Sequence, residues 1–281
     1  MSELFDRRVA VTIGPAGGEG VRVDERFNIE FLVRKSVGSE LNRIDCSIFG
    51  LSEQTRNQIV RPGNVIQIEA GYVAGPELIV IGDVTRTVVE NRFPEIITII
   101  EAGDGAHELR DRKINISFAE GVTVERILEQ VAGNLALGRR VTGSRRGLNQ
   151  RYEKGVSFSG PARQVLDKIT GRAGLSWSIQ DGDLQILDRV DASQGRGVLL
   201  TPDTGLIESP RKLDDEESFT ERRRGAGYEV VSFLNPKIRP GEVVVIESRD
   251  VSGQFRVDTV EHSGSVRGQD WYSTAEVYAD A

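Results

Sequence analysis

The chain has a single cysteine, Cys46, in 281 residues, so no intrachain disulfide can form. It has two histidines, His107 and His262, far apart in sequence. Structural and catalytic metal centres need clustered His, Cys or carboxylate ligands, so no metal residue is assigned. No apolar run approaches the roughly 18 residues that cross a bilayer. The N-terminus, "MSELFDRRVAV", lacks the apolar core of a signal peptide. The expectation is a soluble protein made in a reducing cytoplasm, with no membrane anchor. Aromatic residues are 6% and apolar residues 38% of the chain, a balance that suits short strands in thin layers better than one thick core. An excess of basic charge is missing too. The formal net charge is −7, which disfavours nonspecific binding of nucleic acid.

Glycine is abundant, with 31 residues, and it punctuates strands. The length allows two or three domains of about 100–150 residues. From Arg7 to Gly103, apolar and polar residues alternate in "VAVTI", "FNIEFLV", "RIDCSIFG" and "VIQIEAGY". "LIVIGDV" and "IITIIEAG" are continuous and β-branched, as in better buried strands. Within "LSEQTRNQI", Ser52 caps one or two predicted helical turns.

The texture changes after Gly105. Val124, Ile127, Leu128, Val131 and Leu135 lie at helical spacing, with Thr123 as N-cap and Gly133 or Gly138 as the end. Ala162, Val165, Leu166 and Ile169 form a second stripe, opened by Pro161 and closed by Gly171 or Gly174. Asp181-Gly182 joins two short strands in a tight turn. Between the helices, "GRRVTGSRRGLNQRYEKG" (Gly138–Gly155) reads as a long exposed basic loop or hairpin tip. A linker with an acidic cluster (Asp214–Glu217) and a basic one (Arg222–Arg224) follows, and strands return after Gly227.

One repeat stands out. "RPGNVIQIEAGY" starts at Arg61 and "RPGEVVVIESRD" at Arg239, 178 positions later. The offset aligns Val65 with Val243, Ile68 with Ile246, Glu69 with Glu247 and Gly75 with Gly253. Pro-Gly before a strand is common turn chemistry. Here both copies sit in all-β stretches of similar size and both precede a hairpin, so a duplicated β-domain around an α+β insert is the better account.

The residues show no marked chemistry. "GPAGGEG" (Gly14–Gly20) is not a phosphate-cradling loop, and no helix follows it. "EAGDGAHEL" and "QDGDLQ" lack the calcium-loop ligand ladder. No nucleophile-elbow motif accompanies either histidine. Arg139, Arg140, Arg145, Arg146 and Arg151 form a basic stretch that reads as a solvated loop or a subunit contact before it reads as a phosphate site. No catalytic, cofactor-binding or metal residue is assigned, and no cofactor is expected.

The order of these elements resembles phage baseplate hub proteins, the trimeric adaptors between tail tube and central spike. The likeness is carried by "DCSIFGLSEQTRNQIVRPGNVIQIEAGYVAGPELIVIGDVTRT" (Asp45–Thr87), by "VSFLNPKIRPGEVVVIESRDVSGQFRVDTVEHSGSVRGQDWYSTAEV" (Val231–Val277) and by the middle segment Gly155–Leu187. The resemblance implies a mainly β fold, with two tail-tube-like β-barrels flanking a small helix-containing domain. The implied division is 1–105, 106–193 and 194–281. It also gives the repeat a reason, because three chains with two barrels each match a sixfold tube above and a threefold spike below. The implied protein is a non-enzymatic virion component, assembled in the host cytoplasm as a homotrimer at the tail tip. Its implied partners are the tail tube or distal tail protein, the spike and the tape measure protein, with DNA only in transit through an acidic or neutral channel. The competing readings are a tail-associated cell-wall hydrolase, which needs paired carboxylates in a cleft, and a ring module of a secretion channel, against which the missing signal peptide argues.

Overall fold

The computed structural model describes residues 6–61, 63–105, 109, 112–142, 145–188, 197–213 and 226–279. The first unit comprises β1 (Arg8–Pro15), β2 (Val21–Asp24), β3 (Ile29–Ser36), β4 (Arg43–Phe49), α1 (Glu53–Ile59), β5 (Asn64–Tyr72), β6 (Gly75–Arg92) and β7 (Glu95–Gly103). The last unit comprises β13 (Val198–Leu200), β14 (Arg211–Lys212), β15 (Gly227–Phe233), β16 (Val243–Glu247), β17 (Ser252–Ser265) and β18 (Trp271–Ala279).

The fold is mainly β, as expected, but no closed barrel is found among the described residues. Both units belong to one 13-stranded sheet, ordered β14-β15-β18-β17-β3-β4-β7-β6-β5-β1-β2, with β16 on the edge of β17 and β13 on β16. The physical reason is β17. Its last residues, Thr259–Ser265, pair antiparallel with β3, so the edge of β3 that a closed barrel would turn on its own unit is occupied by the other unit. The first unit still rolls around one core. Val11, Val23, Phe31, Ile48, Ile68, Val80 and Ile100, one from each of its strands, lie in a single apolar cluster. Strand alternation forces this, because residues two apart on a strand share a face.

The repeated segments occupy the same place in the two units. β5 lies in the strand order β4-β7-β6-β5, and β16 in the order β15-β18-β17-β16. Gly63 and Gly241, which open them, adopt φ of +81° and +82°, a left-handed conformation that favours glycine. Pro62 lies outside the described residues. The likeness has limits: β1 flanks β5 antiparallel, whereas β13 flanks β16 parallel. The matched glycines also part company. Gly75 faces Tyr72 at its hairpin end, and Gly253 faces Ile246 within the ladder.

The insert, between β7 and β13, holds β8 (Lys113–Phe118), α2 (Val124–Leu135), β9 (Gly138–Thr142), β10 (Val156–Pro161), α3 (Ala162–Ala173), β11 (Leu175–Gln180) and β12 (Asp183–Asp188). β8 pairs with β10, and β12 lies between β11 and β9. The apolar stripes of both helices meet Phe158, Trp177, Leu184 and Ile186 in a separate core. The Thr123 hydroxyl caps α2 by accepting the Arg126 N–H at 3.2 Å. α2 ends at Ala136 in the left-handed region, between the two glycines proposed from sequence, and Gly174 ends α3. The stretch from Gly138 is not a loop throughout: it opens as β9, parallel to β12. Its pattern hid this because Val141 is the one apolar residue of that strand.

Leu166 is fully buried in the insert core. Leu166→Asp places an unpaired charge there, at a cost of several kcal/mol. The expected result is loss of the insert's unfolding transition in a thermal melt and early proteolysis within 112–188. A wild-type melting profile would contradict this packing.

Candidate functional site

The most heavily built polar site is where the three units meet. Asp181 and Gly182 form the β11–β12 turn, both at positive φ, and this turn is plugged into the end of the first unit. Lys35, on β3, donates to both Asp181 carboxylate oxygens at 2.8 and 2.9 Å and to the Ile79 carbonyl at 3.1 Å. Asp104, just past β7, accepts the backbone N–H groups of Asp181 and Gly182. Asn42 donates to Asp104 at 3.3 Å, to the Ile179 carbonyl at 2.9 Å and to the Gln180 side-chain carbonyl at 3.1 Å. Gln180 in turn donates to the Ser36 carbonyl at 2.8 Å. Lys35, Asn42, Asp104 and Gln180 are all buried. Burial, then the neighbouring Asp181 charge, pushes the Asp104 carboxyl up to about 6.

The last unit adds a second set of ties. Gln185 of β12 donates to the Pro240 carbonyl at 3.1 Å, and Arg140 lies 3.7 Å from Glu242. Lys237 pairs with Glu77 at 3.3 Å. A Cβ on Gly241 would come within 2.4 Å of the Leu187 side chain, so this turn also needs glycine for close approach.

His262 lies within β17 and is buried. Ser273 Oγ accepts the Asn235 N–H at 2.9 Å and shares a hydrogen bond of 2.8 Å with His262 Nδ1. The ring also bonds the Ile238 backbone. Burial, then the charge of Lys35, pushes the imidazole down to about 3. Ser273 and His262 have nucleophile–base spacing, but both are sealed from solvent, so the pair is a structural contact. Cys46 is also buried, which pushes its thiol up to about 12 and leaves it unreactive.

The basic stretch after Gly138 is largely neutralised within the chain. Arg139 pairs with Glu125 and Glu129, Arg145 with Glu125, and Arg140 with Asp183 and Glu242. Arg151 donates to the Gly121 carbonyl, and Tyr152 is buried beneath Arg172, 4.0 Å from the ring centre. Gly14–Gly20 and Gly71–Glu77 lie at hairpin turns. His107 and the charge clusters Asp214–Glu217 and Arg222–Arg224 lie outside the described residues. Among the described residues no group of three His, Cys or acidic side chains is placed to hold a metal. A cavity of about 350 Å³ opens between Phe27, Phe49, Leu51, Pro94 and Ile96, edged by Arg26, Arg267 and one carboxylate, Glu95.

Sequence reasoning recognised the Asp-Gly turn but not its role. The available signal was Lys35: Ile29, Phe31 and Val33 precede it on the inward face of β3, so a lysine at the next inward position needs a buried acid.

No protein-family model and no curated protein sequence matches this chain. Solved structures do match. A tail protein from Neisseria meningitidis MC58 superposes with a TM-score of 0.67 at 11% identity, over 98% of this chain and 97% of that one. The 43 kDa tail protein of prophage MuSo2 from Shewanella oneidensis gives 0.66 at 13%, over 97% and 98%. The E. coli c3393 protein is a type VI secretion component described as similar to the T4 bacteriophage tail proteins gp27 and gp5. It gives 0.61 at 12%, over 89% and 73%. Over nearly its whole length, then, the chain has the fold of phage tail proteins.

Two outcomes follow from the buried charges. Lys35→Met strands the two aspartates and is expected to cost about 3–5 kcal/mol in denaturant unfolding, and adding Asp181→Asn to it restores part of that. The pH dependence has two opposing parts. Asp104, with its carboxyl raised, binds protons more tightly when folded, so its contribution to stability grows as pH falls below about 6. His262, held neutral, resists protonation when folded, so its contribution is lost as pH falls below the ordinary 6.5. From pH 7 to 5, Asp104→Asn is therefore expected to lose about 1.4 kcal/mol relative to the native chain and His262→Gln to gain about 2 kcal/mol, from roughly 1.4 kcal/mol per pH unit. Equal pH slopes in the two variants would contradict these assignments.

Proposed function

We propose that this chain is a structural, non-enzymatic component of a phage tail tip. In this reading three copies form a hub that joins a sixfold tube to a threefold spike and lines the channel through which DNA leaves. The observation that carries it is the duplicated β-unit, with strand order β4-β7-β6-β5 matched by β15-β18-β17-β16 inside one sheet, in a chain with the fold of tail proteins. A duplicated unit lets three chains offer six similar surfaces. The division into domains 1–105, 106–193 and 194–281 is supported by three apolar cores, the first of which also takes in Leu234 and Trp271 of the last unit, and each rolled β-unit stands for a tail-tube-like barrel whose closure is supplied by a neighbour. The partners are a second and third copy, the tube or distal tail protein, the spike and the tape measure protein.

Passage of DNA is supported by the outward face of the sheet. There Arg34 pairs with Glu261, Arg43 with Asp45, Arg86 with Glu101 and Arg211 with Glu229. Cations already paired with acids hold phosphates weakly, since little counterion release is left to gain. The hydrolase alternative finds little support in the cavity near Phe49, because a two-carboxylate mechanism needs a second acid beside Glu95. A hub in a type VI secretion apparatus is the second reading, favoured by the fold shared with c3393.

Mass measurement of the purified chain, alone and with its tail proteins, tests the proposal. The expected mass is three chains of 30.9 kDa. A monomer under both conditions would overturn it.

A further inference from the structure

We infer that the free half of β6 is a docking edge for a second copy of this chain, which lays the segment around β14 along it as β3 lies along β17. The inference rests on the ring reading above and assigns its contact surface.

β6 and β17 are counterparts. Each pairs along one edge with the strand that follows it, β7 or β18. On the other edge each is covered over its first half only, by β5 or β16. In both strands the register shifts near the point where that cover ends, between Val84 and Arg86 and between Val257 and Thr259. Beyond the shift, β17 has the segment Thr259–Ser265, and β3 pairs with all of it. β6 has the equally long segment Arg86–Arg92, and among the described residues no strand pairs with its second edge. A free strand edge is a row of unmet donors and acceptors, which proteins cover or use.

The partner can be read from the same duplication. β3 flanks β4 on the edge away from β7. In the last unit, β14 flanks β15 on the edge away from β18, and it is the terminal strand of the whole sheet. Each chain therefore contains one completed junction, β3 with β17, and the two separate halves of a second junction, β14 and the free half of β6. We take these halves, on different units of one chain, to meet between copies, head to tail, a contact that closes as a ring when the rotation from copy to copy divides the circle.

The register carries over as well. In the chain, Arg34 faces Glu261 and Leu32 faces Ser263. Their counterparts place Leu213 opposite Val88 and Arg211 opposite Glu90 of the next copy, one apolar pair and one pair of opposite charge. Pro210 has no N–H to give and limits the ladder at that end. Val89, exposed on the free segment, would be covered.

The test is a cysteine pair in the full chain, Glu90→Cys with Arg211→Cys, the first half-buried and the second exposed, while the native Cys46 stays buried. Cross-strand neighbours lie within disulfide reach. Under mild oxidation the double variant is expected to give reducible covalent dimers and trimers, and each single variant none. A solution mass of three chains without cross-linking would overturn this edge and leave the ring reading standing. A monomeric mass would overturn both.

Discussion

β17 has two edges and three neighbours. β18 takes one edge for nearly its whole length, while β16 and β3 share the other, changing over near Asp258. The rest of the molecule depends on that division. A strand given wholly to its own unit would close that unit and leave the two β-units tethered by linkers alone. Shared, it makes one sheet out of two rolled units and fixes their relative orientation through seven facing residue pairs. Backbone hydrogen bonding sets this geometry with little regard to side-chain identity, which explains how an arrangement persists in proteins about 11–13% identical to this one.

The insert is held to that sheet by charge. Its tight turn delivers two backbone N–H groups to Asp104 and a carboxylate to Lys35. Buried ion pairs add little net stability over apolar packing, and breaking one is costly. Their value here is in orientation: an apolar contact would tolerate a slipped turn, and this network does not, because each displaced donor would be left unmet in the interior. His262 stands close enough to Lys35 to feel its charge, so the junction of the β-units and the seat of the insert form one electrostatic neighbourhood.

Much of the fold was legible in the sequence because it rests on periodicity. Alternation marked β4 and β5 closely, and the helical stripe placed α2 at its observed bounds. The repeated Arg-Pro-Gly entry marked two like turns, since both glycines adopt the same left-handed conformation. β9 escaped because its exposed arginines obscured the strand pattern, and β2 because four residues carry too little period. The free half of β6 was missed for a different reason: "TRTVVENR" looks like the ragged end of a hairpin until its counterpart in β17 is seen paired. The barrels were anticipated as closed because pattern reports which face is buried and says nothing of which edge meets which. The joint was least legible of all. Lys35, Asn42, Asp104 and Asp181 lie up to 146 residues apart, and nothing local in the chain connects them.

The central claim is that the two β-units are one cooperative sheet joined through β3 and β17. Native-state hydrogen exchange tests it most directly, read at the amides of Val33 on β3 and His262 on β17, which face each other across the junction. The account expects these amides to exchange only through the same global opening that releases the core amides of Ile48 and Val230. Exchange at Val33 and His262 through a separate, lower-energy opening, with both cores still protected, would show two tethered units and contradict it.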